Sequence, residues 1–477
     1  MNSLKKQALR SGKHVASLAL VEKAVALVQL LILARLLNPE AFGVFALAMA
    51  LVIAGSVFTS LGTERILIQR ASLNDGFVGS AWLTEIGRGA LVSTACFLLA
   101  PLYAEWMRAP ELENVLYLLM LIPFFASLQT PALTIAERDL KFGKVVSFQI
   151  ASSAIQLLIL SGLAYIYPNV YALAIGFTVM ALVRSVLSWF WFGVSILPSY
   201  TKKYVIELFG LGKHYFVIAL GGYAMTQGDT LIVGNILGAV VLGYYVMAYQ
   251  ISQWPVDILG RIVGRVAFPV FSRLQEDTSR LNRAFDQVLQ IQLLFLVPVV
   301  VALFLFSPLI IPVLLGSAYT PSIVILQAMI LIIVGRGMSH LLDPFIIGAG
   351  YVSFASKVKI FETSVFLISV WYGVHNFGVE GAAIGAGMGY LFAALVRIVF
   401  VCYIVKYSVL RLFKRVSTPL FAALLSALPI IQFELFLEMS DLTRLLLEAT
   451  IFALIYIFVS VLLDRTWVSK LKELLQQ

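Results

Sequence analysis

Long apolar stretches follow one another through almost the whole of this chain, and the lysines and arginines between them gather on every second connection. A run of about twenty apolar residues is long enough to cross a bilayer as a helix, and a helix satisfies its own backbone groups in hydrocarbon. A window of about 19 residues finds about fourteen such runs, near 15–37, 43–62, 81–104, 112–134, 146–167, 171–194, 214–237, 240–262, 287–307, 320–348, 354–375, 380–405, 417–437 and 445–463. About twelve is the competing count if the last pair lies outside the membrane. One set of connections carries Arg65 and Arg70; Arg138, Lys141 and Lys144; Lys202, Lys203 and Lys213; Arg273, Arg280 and Arg283; Lys357 and Lys359; and Lys406, Arg411, Lys414 and Arg415. Arg465, Lys470 and Lys472 of the C-terminal tail join that side. The other set is neutral to acidic, with Glu105, Arg108, Glu111 and Glu113, then Pro168-Asn169, Gly238-Ala239, Tyr319-Thr320-Pro321, His375-Asn376, and Glu438 with Asp441. Basic connections stay in the cytoplasm, so both ends of the chain are expected there.

Composition closes off the soluble alternatives. Of the 477 residues 61% are hydrophobic and 12% charged, with a mean hydropathy of +0.95, whereas soluble domains are roughly half apolar and one-quarter charged. The net charge of +9 sits in short clusters between apolar runs, the pattern of loops facing anionic lipid and not of a nucleic-acid surface. Cys96 and Cys402 both fall inside spans without ligand-like spacing, which leaves no disulfide framework and no metal site. Lys5, Lys6, Arg10 and Lys13 precede an apolar run from Val15 to Leu37 as in a signal peptide. That run is too long and lacks an Ala-x-Ala-like cleavage site, and it reads as an uncleaved first span. A phosphate-binding Gly-x-x-x-x-Gly-Lys-Ser/Thr loop, a zinc signature and a Gly-x-Ser-x-Gly elbow are all missing. No cofactor and no catalytic residue is expected, and any transport draws on a proton or sodium gradient, the membrane potential or substrate consumption on the far side.

A weak repeat runs through the chain at an offset of about 200 residues, a symmetry that transporters often carry. Leu37-Asn38-Pro39-Glu40-Ala41-Phe42-Gly43-Val44-Phe45-Ala46-Leu47-Ala48 parallels Leu237-Gly238-Ala239-Val240-Val241-Leu242-Gly243-Tyr244-Tyr245-Val246-Met247-Ala248. Val170-Tyr171-Ala172-Leu173-Ala174-Ile175-Gly176 echoes Val379-Glu380-Gly381-Ala382-Ala383-Ile384-Gly385. The first pair joins helices one and two of each half and the second joins helices five and six. Two pseudo-symmetric six-helix bundles follow, 1–200 and 201–410, with 411–477 as an accessory helix pair and tail. The polar interval from Arg261 to Gln287 reads as a basic connection with an amphipathic helix from Thr278 onward, not as a domain.

Function has to be sought among the charges inside the spans, because the outer connections reach only about ten residues. A charge at mid-membrane costs about 2.5–3.5 kcal/mol on insertion scales and needs a partner or water. Glu22 and Lys23 are adjacent on the first helix and point to different neighbours, Glu22 sharing a face with Gln29. Glu85 and Arg88 can neutralise each other at i,i+3. Gln227 and Asp229 stand on the seventh helix, and Trp254, Asp257 and Arg261 form a stripe on the eighth. Arg336, His340 and Asp343 make the densest ionisable stripe, followed by Pro344, which should break or kink the helix. That stripe serves either as a structural network or in substrate and proton handling, since a histidine there could titrate near neutrality. Arg184 and Arg397 occupy corresponding helices of the two halves; an arginine fork suits a diphosphate, while snorkelling to the headgroups is the plainer reading for Arg397. Gly381, Gly385 and Gly389 repeat on one face and read as close helix packing. Gln149, Ser152, Ser153 and Gln156 form a polar stripe that lines a lumen or bonds between helices.

The run Leu33-Ala34-Arg35-Leu36-Leu37-Asn38-Pro39-Glu40-Ala41-Phe42-Gly43, with Leu61-Gly62 and Ile68-Gln69-Arg70, resembles the opening of bacterial polysaccharide transporters. These are the Wzx-like flippases of the multidrug/oligosaccharidyl-lipid/polysaccharide exporter superfamily. Gly228-Asp229-Thr230-Leu231-Ile232-Val233-Gly234, Leu242-Gly243-Tyr244-Tyr245 and Phe268-Pro269-Val270-Phe271-Ser272-Arg273-Leu274 continue the likeness, which extends to about residue 400. The resemblance implies an all-α, MATE-like V of two six-helix lobes with helices 13 and 14 appended, in the bacterial inner membrane. It also implies alternating-access export of undecaprenyl-diphosphate-linked oligosaccharide for surface polysaccharide synthesis, alongside a polymerase and chain-length machinery. A cationic lumen goes with that activity, for which Lys23, Arg184 and Arg336 are the candidates here. Glu22, Asp229, Asp257, His340 and Asp343 are then candidates for coupling or gating. An ion-coupled multidrug antiporter on the same fold, and a polytopic polysaccharide polymerase, stand as alternatives.

Overall fold

A computed structural model describes residues 21–70, 72–194, 196–433 and 440–463. The basic residues expected at both termini, and Glu438, lie outside these described residues. Helix α1 covers 21–36; α2 (Pro39–Phe58), α3 (Thr63–Gln69) and α4 (Asp75–Trp106) follow. Next come α5 (Glu111–Leu119), α6 (Leu121–Ser127), α7 (Ala132–Arg138), α8 (Phe142–Ile166) and α9 (Val170–Phe192). The second half holds α10 (Lys202–Arg273), α11 (Thr278–Leu314), α12 (Ser322–Ala328), α13 (Ile330–Gly348), α14 (Val352–Ile404), α15 (Val409–Phe433) and α16 (Asp441–Leu463).

Ten of the described helices are long and apolar enough to span a membrane. Two of them are pairs joined across a single residue, α10 broken at Gly238 (φ 83°) and α14 at Gly378 (φ 63°). Positive φ is cheap for glycine, so each span turns back without a loop. With each of these pairs taken as two spans and the bent α5–α7 segment as one, the described helices come close to the fourteen spans expected, in a multi-pass membrane protein.

Local chemistry sets the helix starts. Asn38 accepts the Ala41 N–H at 2.9 Å, with Pro39 in the first turn and Glu40 on the positive end of the dipole. Asn74, Asn169 and Asp277 cap α4, α9 and α11 in the same way. The amphipathic segment from Thr278 runs without interruption into the ninth span as one helix. Of the break or kink expected at Pro344, the break does not occur: α13 continues to Gly348, and Gly350 (φ 91°) makes the turn that follows.

The chain divides into two compact units, Met1–Gly243 and Tyr244–Gln477. In the first, α6 packs on both α4 and α9, and α2 packs on α5. The repeat becomes geometry here: a Cβ on Gly43 would overlap the carbonyl of Ala239, and a Cβ on Gly243 would overlap the carbonyl of Pro39. Positions 39 and 239, like 43 and 243, are repeat equivalents, so this crossing maps onto itself when the repeats are exchanged. In the second unit, α13 packs against α14, and α15 and α16 lie on α11. Gly381, Gly385 and Gly389 meet Gly373, Ser369 and Phe366 of the preceding arm at backbone distance, the packing role read from their spacing.

Candidate functional site

Among the described residues of the second unit, α13 contributes to two charged clusters. Arg336 on α13 donates to the Tyr249 hydroxyl at 3.0 Å and faces the Asp257 carboxylate at 3.7 Å, both on α10. Its guanidinium also lies 5.9 Å from the centre of the Tyr390 ring, a cation–π distance. Arg336 and Asp257, each from a different sequence stripe, are thus brought together half-buried. One turn along α13, the His340 ring packs where Gly260 leaves room for it.

Asp343 does not extend that cluster. It turns to Arg397, accepting from Nε at 2.6 Å, while Nη2 of the same arginine donates to Glu362 at 3.0 Å. Lys359 reaches Glu362 at 3.0 Å from the exposed side. Arg397 and Glu362 are each only 1% exposed. Arg397 therefore does not snorkel, as its position near a helix end had indicated. It stands seven residues before the end of α14, about 10 Å along the axis, and a charge held at that depth requires acidic partners. Glu362 was missed by the sequence reading, although an acidic residue inside a span, three after Lys359, was the available signal.

In the first unit, Glu85 and Arg88 form the intrahelical pair expected of them, at 2.7 Å. Glu85 also accepts from the Thr63 hydroxyl at 2.5 Å, and Arg88 reaches the Ser56 carbonyl and Thr59 hydroxyl at 3.4 Å. This group sits in the wall of a cavity of about 760 Å³ that also takes in Trp82, Gln129, Thr130 and Thr134. The cavity borders the break between α6 and α7, where the helical path bends by 57°. The sequence reading ran a single span through Thr130-Pro131 and missed both bend and cavity.

Of the other candidates, Glu22 and Lys23 are half-buried on α1, and Gln29 of the same helix meets Gln156 of α8 at 3.4 Å. That contact makes one member of the α8 polar stripe an interhelical bond. Arg184 is exposed on α9, 5.8 Å from the centre of the Phe148 ring. Asp229 is buried on α10, accepting from the Thr230 N–H at 2.8 Å. Among the described residues no group of three His, Cys, Asp or Glu is arranged to hold a metal ion.

The arrangement offers paired charges and a polar cavity inside an apolar helical fold. Several known proteins are similar to this chain. The lipopolysaccharide biosynthesis protein WzxC of Escherichia coli (strain K12) is 23% identical over 411 residues, covering 86% of this chain and 82% of its own. The teichuronic acid biosynthesis protein TuaB of Bacillus subtilis (strain 168) is 20% identical over 485 residues, covering 97% and 96%. The lipid II flippase MurJ in an inward closed conformation shares the fold, with a TM-score of 0.77 at 15% identity over 95% of this chain and 99% of that one. The model of the family described as "Polysaccharide biosynthesis protein" matches residues 32–324, and the chain belongs to that family.

Proposed function

We propose that this chain is a flippase that carries undecaprenyl-diphosphate-linked oligosaccharide from the cytoplasmic to the outer leaflet of the bacterial inner membrane. In this reading it supplies surface polysaccharide synthesis, works beside a polymerase and chain-length machinery, catalyses no covalent step and keeps both termini in the cytoplasm. The observation that carries it is the polar, charge-paired interior of an apolar fold: the Arg336–Tyr249–Asp257 group of the second unit and the cavity of about 760 Å³ in the first. Family membership and the fold shared with a lipid II flippase support the same assignment.

The division of labour follows the chemistry. Lys23, Arg184 and Arg336 are assigned to the diphosphate, which needs fixed cations. Glu22, Asp229, Asp257, His340 and Asp343 are assigned to coupling or gating, with a proton or sodium ion as the driving species. The segments 1–200 and 201–410 are taken as the two transport halves and 411–477 as accessory. Deleting the gene should leave complete repeat units on undecaprenyl diphosphate in the inner leaflet, detected by mass spectrometry of extracted lipid. Single, unpolymerised repeat units in the outer leaflet, or altered toxin sensitivity alone, would overturn the assignment. Arg336→Ala and Lys23→Ala should each lower export at normal protein levels; wild-type export from both would remove the cation clamp.

A further inference from the structure

We infer that the cavity of the first unit is the subsite that receives the sugar units of the substrate, separate in chemistry from the cations assigned to the diphosphate; this rests on the flippase reading above.

The break beside the cavity is a built feature. Helix α6 stops at Ser127 and α7 begins at Ala132, which frees backbone groups inside an apolar segment. Those groups have dedicated partners. The Ser127 carbonyl accepts from Trp82 Nε1 at 3.1 Å, the Leu128 carbonyl from Trp189 Nε1 at 2.8 Å, and the Thr130 N–H donates to Ser188 Oγ at 3.1 Å. Non-helical backbone at membrane depth is tolerated where it is buried in protein or lines a cavity, and interrupted helices mark substrate sites in transporters. The volume of about 760 Å³ is in the range of about 300–1,000 Å³ typical of small-molecule sites.

The walls decide what fits. Glu64, Arg65, Glu85 and Arg88 all line the cavity, and their formal charges cancel. Arg88 is committed to Glu85 through Nε and Nη2, and the other oxygen of Glu85 is taken by Thr63. A diphosphate would have to displace a carboxylate from that arginine while facing two carboxylates itself. A polyhydroxylated ring pays no such penalty, because each hydroxyl both donates and accepts. Ser60, Gln129 and Thr134 offer it neutral polar groups, and Ile122, Pro123 and Leu133 offer apolar surface for its C–H faces.

The test measures binding of two probes to the purified full chain: bare undecaprenyl diphosphate, and the lipid-linked glycan extracted from cells lacking this gene. Ala126→Phe fills the cavity, and Thr134→Val and Gln129→Leu remove polar groups with little change of shape. Wild type should bind the glycan-bearing lipid more tightly. Ala126→Phe should lose about ten-fold or more for that lipid and the two polar variants about five-fold or more, with bare-lipid affinity held within about two-fold in each. Retained bare-lipid binding shows that each variant is folded. Equal losses for both lipids, or no loss for either, would overturn the subsite alone; wild-type protein binding neither lipid would overturn the flippase reading and the subsite with it.

Discussion

Arg397 owes its role to the acids around it. A lone guanidinium buried in an apolar fold is costly, and here Asp343 and Glu362 take two of its nitrogens. Arg397→Leu leaves two carboxylates facing each other with Lys359 on the exposed side, and should destabilise the protein by about 3–5 kcal/mol. Lys359→Ala removes a half-exposed partner, 48% accessible, and should cost at most about 1 kcal/mol. Thermal unfolding in mild detergent separates the two, and equal losses would show that the cluster is not a buried network. At this scale the sequence located most of the charges but not their partners. Glu85 and Arg88 were readable because an i,i+3 pair lies on one helix. Arg336 with Asp257, and Arg397 with Glu362, join residues 79 and 35 positions apart, where helical periodicity carries no information.

The turns between spans show what an element-level reading captures. Gly238 and Gly378 stand at the two joints of the second half that carry the repeat, one between its first and second helices and one between its fifth and sixth, and fold two pairs of spans without loops. Gly43 and Gly243, also repeat equivalents, let two backbones cross in contact within the first unit. Gly43→Ala and Gly243→Ala should each destabilise by about 1–3 kcal/mol through overpacking. Since both crowd the same crossing, and the separation forced by one makes room for the other, the double variant should lose less than the sum of the single losses. Full additivity in detergent unfolding would mean that the two contacts are independent. The broken fourth span escaped the sequence reading for a physical reason. A proline inside an apolar run leaves two outcomes open, as Pro344 within a continuous α13 and Pro131 beside a 57° bend show. The partners that hold the bend open, the donors Trp82 and Trp189 and the acceptor Ser188, come from two other helices.

Across the molecule, the last two helices are joined to the rest of the second unit by specific contacts and not by hydrophobicity alone. Arg415 of α15 binds Asp286 of α11 at 2.6 Å, Tyr407 donates to the same carboxylate, and Tyr456 of α16 donates to the Leu294 carbonyl at 2.9 Å. Phe306 packs edge-on against Phe452 across the same face. Truncation after Ser408 should therefore reduce the folded protein recovered by size exclusion, because Asp286 loses its main cationic partner. Asp286→Asn in the truncated chain should restore part of that yield while lowering it in the full chain; no rescue would mean that apolar packing alone holds the pair. The sequence by itself determined the class of protein, the succession of about fourteen spans and the two-fold repeat. Those depend on hydropathy, helix length and local backbone preference, all of which act within a few turns of chain. Only the tertiary structure decided which acid each buried arginine meets, that the fourth span bends around a cavity, and that the repeat glycines cross in contact. Each of these depends on which helix stands opposite, and a helical face records the direction of a side chain without naming the neighbour it meets.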